Sequence, residues 1–412
     1  MKIAEIVSEK FPVPPVEGGA IQTLVYNYSL ILNKQFDFTI FSRPTEEQRR
    51  DTLNYEPIPY TSLDRLSNKI LQSEKFYNKL VRIVAKIYLV YSYAVRCAKK
   101  LNSEYDIIHI HNDPNFVPII KKFNKDSIIL LHMHNPHFTS KKYSNMLKKR
   151  YKNAIKISNS IICVSLFIKK DIIDSYQEAS NKCKVLYNGI DLDRFYKHSS
   201  KNNLAILKKY KLDINKITIL FVGRFVRMKG LHLLLDSLNN MQNKNFQLLI
   251  VGSPQFKNSL AITKYEKLLL QKAKNLTDRL HFLGYVQPND LQPIFSAADI
   301  CVAPSLYQEG CPLVVMEAMA SENCLIASTR GAIPEIITNE VNGLLFDPNQ
   351  PEMLTAQLEK AMTDKEMCLR LGRNARKTVE QRFSINTMAN RLAQIFQDEF
   401  ENEFGPFQLN NK

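Results

Sequence analysis

Glu309 and Glu317 are spaced for chemistry on a polyhydroxylated ligand. Seven residues separate them; Gly310 and Pro312 make a loop after the first, and a helical pattern from Leu313 to Ala320 runs through the second. A loop that opens a helix presents free backbone N–H groups and a positive dipole end, suited to phosphate or sugar oxygens. Carboxylates beside it accept hydrogen bonds from the vicinal hydroxyls of a sugar or ribose. On spacing alone a plainer reading competes: Glu309 favours the helix dipole and Glu317 is an exposed helix residue. A second cluster is made of His109, His111, His132, His134 and His137. Within each strand-like run the alternation by two places both histidines on one sheet face. No H-x-x-x-H falls on a helical stretch and no C-x-x-C pair exists, so no metal cluster is expected.

Two similar segments must position these groups. KIAEIVS (2–8) is an apolar run followed by a Pro-rich loop, Glu17-Gly18-Gly19-Ala20 and a helical pattern; ITILFV (217–222) is followed by Gly223-Arg224, a basic loop through Lys229-Gly230 and another helical pattern. Both read as buried strands opening through a glycine loop into a helix. Further strand-like runs begin at 36, 106, 127 and 160 in the first half and at 246, 280, 300, 324 and 344 in the second, alternating with helical stretches. The implied class is α/β, two Rossmann-like domains with parallel sheets. Residues 1–190 make the first, 200–384 the second, and a helix from about 385 to 412, capped by Ser384, packs back on the first.

The 412 residues carry a formal charge of +16, of which +12 lies in residues 51–200, whereas residues 301–350 carry −5. Such a basic half attracts anionic partners, but no zinc-finger spacing, RNP-like strand or Arg-rich arm supports nucleic acid. No run approaches the roughly 18 apolar residues of a membrane span. Glu5, Glu9 and Lys10 interrupt what would be the core of an export signal, and seven scattered cysteines suit a reduced compartment. A cytoplasmic location is expected, free or peripheral at the inner face of the membrane.

NGID (188–191), VGR with KG (222–230), LHFLGYV (280–286), ADICVAPS (298–305), EG-x-P with EAMA (309–320) and G-x-x-PEII (331–337) occur in that order. This set closely resembles the retaining glycosyltransferases of family 4, whose GT-B fold has two facing Rossmann-like domains and an interdomain cleft. The likeness recurs in the GGA loop and IIHIHN (107–112), and EKFPVPPVEGGAIQ (9–22) looks like a subgroup of spore-coat-associated glycosyltransferases of bacilli. Residues 45–100 lie outside it. The resemblance implies that Arg224 and Lys229 clamp the donor diphosphate, that Glu317 binds the ribose, and that Glu309 contacts the donor sugar. It implies that Gly223, Val286, Gly310, Cys311, Pro312, Leu313 and Val314 line the donor, that Gly18 and Gly19 approach the diphosphate, and that His134 stands beside the sugar, with His132 the alternative. No metal or other cofactor is then needed. The reaction implied is metal-independent hexosyl transfer from a nucleotide-sugar, UDP-sugars being the commonest donors, to a cell-envelope glycan, a lipid-linked or a cell-surface acceptor.

Ser321-Glu322-Asn323 departs from the family pattern, where a glycine is usual, and puts the turn after the Glu317 helix in question. Residues 65–100 combine Lys69, Lys75, Lys79, Arg82, Lys86 and Arg96 with Leu80, Ile83, Val84, Ile87, Tyr88 and Tyr91. They form either an ordinary amphipathic helix with a buried apolar face, the favoured reading, or a contact with an anionic membrane carrying the acceptor. Three other classes compete. A catalytically weak or structural GT-B protein of the cell or spore surface is disfavoured by the intact Glu309, Glu317, Arg224 and Lys229; a nicotinamide oxidoreductase by the absence of G-x-G-x-x-G; a nucleic-acid binder rests on charge alone.

Overall fold

The computed structural model describes residues 1–72, 78–136, 145–252 and 263–406; Lys75 and His137 lie outside these. The chain divides into two compact units, Met1–Gly189 with Ile385–Lys412, and Ile190–Ser384. Residues 191–199, left between domains by the sequence, belong to the second.

In the first unit the described strands are β1 (Lys2–Ile6), β2 (Asp37–Ser42), β3 (Asn54–Pro57), β4 (Ile107–His111), β5 (Ile128–Met133), β6 (Ser160–Cys163) and β7 (Cys183–Val185). They form one parallel sheet in the order β3-β2-β1-β4-β5-β6-β7. Every residue of β4 and β5 is buried, as parallel strands covered on both faces require. Edge strands β3 and β7 escaped the sequence reading: one is polar and ends in proline, the other has three residues. The returning helix Ile385–Phe404 sets Phe396 edge-on against Phe36 and tilted against Phe38, with ring centroids 6.1 and 6.3 Å apart, and Glu399 pairs with Lys184 at 2.7 Å.

The second unit contains β8 (Ile217–Val222), β9 (Phe246–Val251), β10 (Leu280–Gly284), β11 (Ile300–Ala303), β12 (Cys324–Ser328) and β13 (Leu344–Phe346), parallel in the order β10-β9-β8-β11-β12-β13. Strand order reverses at β8, with β9 on one side and β11 on the other. The loops after β8 and β11 therefore meet at a topological switch point, where such sheets bind ligands.

One expectation is corrected. The helices Ser62–Gln72 and Lys79–Leu101 form, but the apolar residues read as a core face are not core. Leu80, Ile83, Val84, Ile87 and Tyr91 are 45 to 68% exposed, and the second helix buries Ala85, Leu89, Tyr93, Ala94, Cys97, Ala98 and Leu101 instead. The small side chains let the helix sit close to the body of the unit, and the larger ones face outward. No helix among the described residues is long and apolar enough to cross a membrane.

The turn that lacks its glycine forms nonetheless. Glu322 adopts a left-handed backbone at φ 58°, and Asn323 donates from Nδ2 to the carbonyls of Phe295 and Ala298 at 2.8 and 2.9 Å. A left-handed non-glycine residue costs about 1–2 kcal/mol, partly offset by the stiffer unfolded chain. Glu322→Gly is expected to stabilise the second unit by about 1 kcal/mol, read as a raised urea midpoint; an unchanged or lowered midpoint would contradict the strain.

Candidate active site

The sequence-predicted residues divide between the units, and in the second the structure brings Lys229 to Glu309 at the switch point. After β8, Gly223 leads to exposed Arg224 and then to a 3-10 turn, Arg227–Lys229. Gly230 has φ 75°, and a Cβ on it would lie 1.8 Å from the Pro304 carbonyl oxygen. The backbone N–H groups of Leu306 and Tyr307 donate to the Met228 carbonyl at 2.8 and 3.2 Å. These contacts bring Lys229 to the loop after β11. Its Nζ lies 2.7 Å from Glu309 Oε1, and Ser305 Oγ donates to the same oxygen at 2.6 Å.

Glu309 is buried and held by its backbone as well. Ala332 N–H donates to its carbonyl at 2.8 Å, and a Cβ on Gly331, at φ 61°, would fall 2.1 Å from that oxygen. Gly310, Cys311 and Pro312 are buried beyond it, and half-buried Leu313 and Val314 open the helix Leu313–Ala320. No side chain caps that helix, and with Val315 N–H turned to the Pro312 carbonyl at 3.2 Å the amides of Leu313 and Val314 are left to face an anion. Val286, half-buried, follows β10.

Glu317 is not the exposed helix residue of the plainer reading. Burial pushes its carboxyl up to about 7, against the pull of the Arg194 guanidinium. Arg194 was missed in the sequence, although it follows NGID by three residues. Asp191 Oδ1 accepts from its backbone N–H at 3.2 Å, its side chain donates to the Pro288 carbonyl, and its Nε is buried without a partner among the described residues.

In the first unit Gly18 and Gly19 take left-handed φ values of 81° and 109° after β1, and Gly19 precedes the helix Ala20–Leu32 without a side-chain cap. His134 stands just beyond the end of β5; His132, on the same face, is sealed inside. A buried network that the sequence did not foresee ties them together. His134 Nε2 lies 3.0 Å from His111 Nδ1, and His111 Nε2 lies 2.7 Å from Glu5 Oε2. His109 Nδ1 lies 2.8 Å from Glu5 Oε1, and His109 Nε2 lies 3.1 Å from His132 Nδ1. Tyr28 donates its hydroxyl to Glu5 Oε2 at 2.8 Å. Burial opposes ionisation of Glu5, but His109 and His111 outweigh it and hold the carboxyl at about 2. Burial, aided by the neighbouring imidazoles, lowers His111 to about 4 and holds His132 and His134 well below the ordinary value. Nitrogens of His109, His111 and His132 lie within 4.8 Å of one another, close enough for a cation; hydrogen bonds join these residues to each other, to Glu5 and to His134, and His132 Nε2 is buried without a partner among the described residues.

Known proteins share the sequence pattern and the fold of this chain. Residues 203–378 match the family described as glycosyl transferases group 1, and residues 21–194 match Glycosyltransferase Family 4. The chain is 31% identical to YtcC of Bacillus subtilis, named as a glycosyltransferase, over 96% of this chain and 92% of that one. It is 27% identical to spore coat protein SA of the same organism, over 96% and 99%. Among solved structures, Anabaena HepE in complex with UDP-glucose superposes with a TM-score of 0.76 at 19% identity, over 97% and 100% of the two chains. Sucrose-phosphate synthase of Thermosynechococcus elongatus does so with 0.78 at 20%, over 98% and 100%. The chain therefore belongs to the family 4 glycosyltransferases and has their GT-B fold of two parallel-sheet α/β domains.

Proposed function

We propose that the protein transfers a sugar from a UDP-sugar, with retention and without a metal, to a glycan or lipid-linked acceptor at an anionic membrane. The observation that carries the donor half is the knot of Lys229, Glu309 and Ser305 beside an uncapped helix start. Arg224, Lys229 and the first-turn amides supply fixed positive charge for a leaving diphosphate, the work a divalent ion does elsewhere. In the unliganded protein Lys229 neutralises Glu309; a diphosphate competes for the ammonium and leaves the carboxylate to the sugar hydroxyls. Retention by double displacement would need a nucleophile beneath the anomeric carbon. Glu309 Oε1 already accepts two hydrogen bonds, so we assign it a positioning and electrostatic role in a front-face path. The HepE complexes with UDP and UDP-glucose support this choice of donor, and the name of a Salmonella relative, lipopolysaccharide 1,2-N-acetylglucosaminetransferase, supports a glycan acceptor.

Glu309→Ala should abolish turnover at saturating UDP-glucose while UDP affinity, measured by calorimetry, stays within about threefold; unchanged turnover would refute the assignment. Glu317 adds a pH signature. With its carboxyl near 7, the free site is protonated below that pH, and two vicinal ribose hydroxyls bond more strongly to the ionised form, whose oxygens both accept. UDP-glucose affinity is expected to fall about tenfold from pH 8 to pH 6, and Glu317→Gln to remove that dependence. A flat wild-type profile would contradict it.

The acceptor half rests on the helices Ser62–Gln72 and Lys79–Leu101. Leu63, Leu66, Leu80, Ile83, Val84 and Ile87 are exposed beside exposed Arg65, Lys69 and Lys86. Asp64, the acidic residue described in these two helices, is buried and paired with Arg96 at 2.7 Å. Apolar side chains rimmed by exposed cations suit the headgroup region of an anionic bilayer, at about 1 kcal/mol per nearby basic residue. Sedimentation with phosphatidylglycerol vesicles is expected, without sedimentation on phosphatidylcholine. Val84→Glu with Ile87→Glu should abolish it while leaving UDP-glucose affinity unchanged; equal binding to both vesicles, or none, would refute the membrane contact.

A further inference from the structure

The network around Glu5 has more order than packing requires. Glu5, His109, His111 and His132 are fully buried and His134 is 7% exposed, and three neighbouring parallel strands supply them in register, with Glu5 opposite His109 and His111 opposite His132. The helix Ala20–Leu32 covers them with Tyr28, and the helix Ile385–Phe404 sets Phe396 edge-on to His109 at 5.4 Å. The backbone is pinned beside the outermost histidine. Asn112 donates its N–H to the His132 carbonyl at 2.8 Å, and its Oδ1 accepts from the N–H groups of His134 and Asn135, both at 3.1 Å.

The hydrogen bonds have one consistent direction along the His111 branch. An ionised carboxylate only accepts; the Tyr28 hydroxyl lies 3.0 Å from His111 Nε2 but donates to Glu5 Oε2, and His111 Nε2, 2.7 Å from that same oxygen, therefore carries the proton. A neutral imidazole then has a lone pair on Nδ1. His134 Nε2, 3.0 Å away, must therefore be the donor N–H, and the lone pair of His134 falls on Nδ1, which has no partner among the described residues. Each proton assignment forces the next.

We propose that Glu5 is a positioning residue which, acting through His111, fixes the tautomer of His134 so that this histidine offers a sugar hydroxyl an acceptor nitrogen. The inference rests on the reading of a UDP-sugar donor beside His134. A hydroxyl of the transferred sugar donates to Nδ1; the opposite tautomer would present N–H and reject the same hydroxyl orientation. Glu5 touches no substrate and acts only by the sign of the hydrogen bonds.

The two oxygens of Glu5 differ in a way that makes the idea testable. Oε2 receives Tyr28 and His111, whereas Oε1 receives His109. In Glu5→Gln the amide oxygen is expected to take the two-donor side and the NH2 the other. The His111–His134 pair keeps its protons while the His109–His132 pair adapts. Glu5→Leu offers neither acceptor, so His111 and His134 should sample both tautomers. Long-range proton–nitrogen correlation spectra of protein labelled with 15N-histidine report the tautomers directly, and calorimetry with UDP-glucose and UDP separates sugar from nucleotide contacts. We expect Nε2–H at His111 and His134 in the wild type and in Glu5→Gln, with unchanged affinities. In Glu5→Leu we expect mixed tautomers and a UDP-glucose Kd raised about tenfold, with the UDP Kd unchanged.

Wild-type His134 protonated on Nδ1 would overturn the proposal, even if Glu5→Leu failed to fold. A folded Glu5→Leu that keeps its UDP-glucose affinity would overturn it too. So would a stoichiometric metal found by elemental analysis whose chelation shifts the histidine signals. If the wild type binds UDP but not UDP-glucose, the donor reading fails while the tautomers remain measurable.

Discussion

The donor side of this molecule depends on two places where backbone meets backbone without a Cβ between. Gly230 lets the turn after β8 rest on the Pro304 carbonyl, and Gly331 lets the segment after β12 rest on Glu309 itself. A Cβ at either position would overlap a carbonyl oxygen, at 1.8 or 2.1 Å, and the β11 loop that carries Glu309 would have to move away from Lys229. The ion pair is thus a consequence of close backbone packing, and its two long side chains need not search for each other. Both glycines also sit at positive φ, where other residues are strained, so sterics and conformation select the same residue type.

Within that frame the local charge is less contradictory than its sum. Residues 301–350 are acidic overall, which is a strange surrounding for a diphosphate. Glu309 is neutralised by Lys229, burial favours the protonated form of Glu317, and Glu340 pairs with Lys360 away from the switch point. Arg224 is exposed after β8, and the helix Leu313–Ala320 starts without a side-chain cap. A ligand with negative phosphates and hydroxyl donors therefore meets positive charge at one end and carboxylate acceptors at the other.

Much of this was legible in the sequence because parallel strands buried on both faces read as unbroken apolar runs, and because the switch-point loops are written in Gly, Pro, Arg and Glu at fixed spacing. Arg194, which acts on Glu317, was not, and neither were three larger features. Edge strands β3 and β7 lack the apolar run that marks their inner neighbours. The helix Lys79–Leu101 was assigned the wrong inner face, since periodicity groups residues on a face but does not say which face is covered, and a face of Ala85, Ala94 and Ala98 looks less core-like than one of Leu, Ile and Val. Glu5 appeared only as a charge interrupting an apolar segment. Its histidine partners are more than a hundred positions away, and only strand order brings them to it.

That buried carboxylate raises the question of why the chain tolerates it. Taking a carboxylate out of water costs several kcal/mol unless hydrogen bonds replace the solvent. Here His109, His111 and Tyr28 supply them, and no apolar substitute would satisfy the imidazoles. Removing Glu5 alone would take the acceptor from His109 and leave Tyr28 and His111 only each other, whereas removing the whole network would leave ordinary strands. A network costly to break piecemeal is held in one arrangement, and the arrangement ends at His134, where the strand stops and exposure begins. The strand interior thereby determines which hydrogen-bonding partner the strand end can accept, and a residue in the middle of β1 acquires a voice in what binds beyond β5.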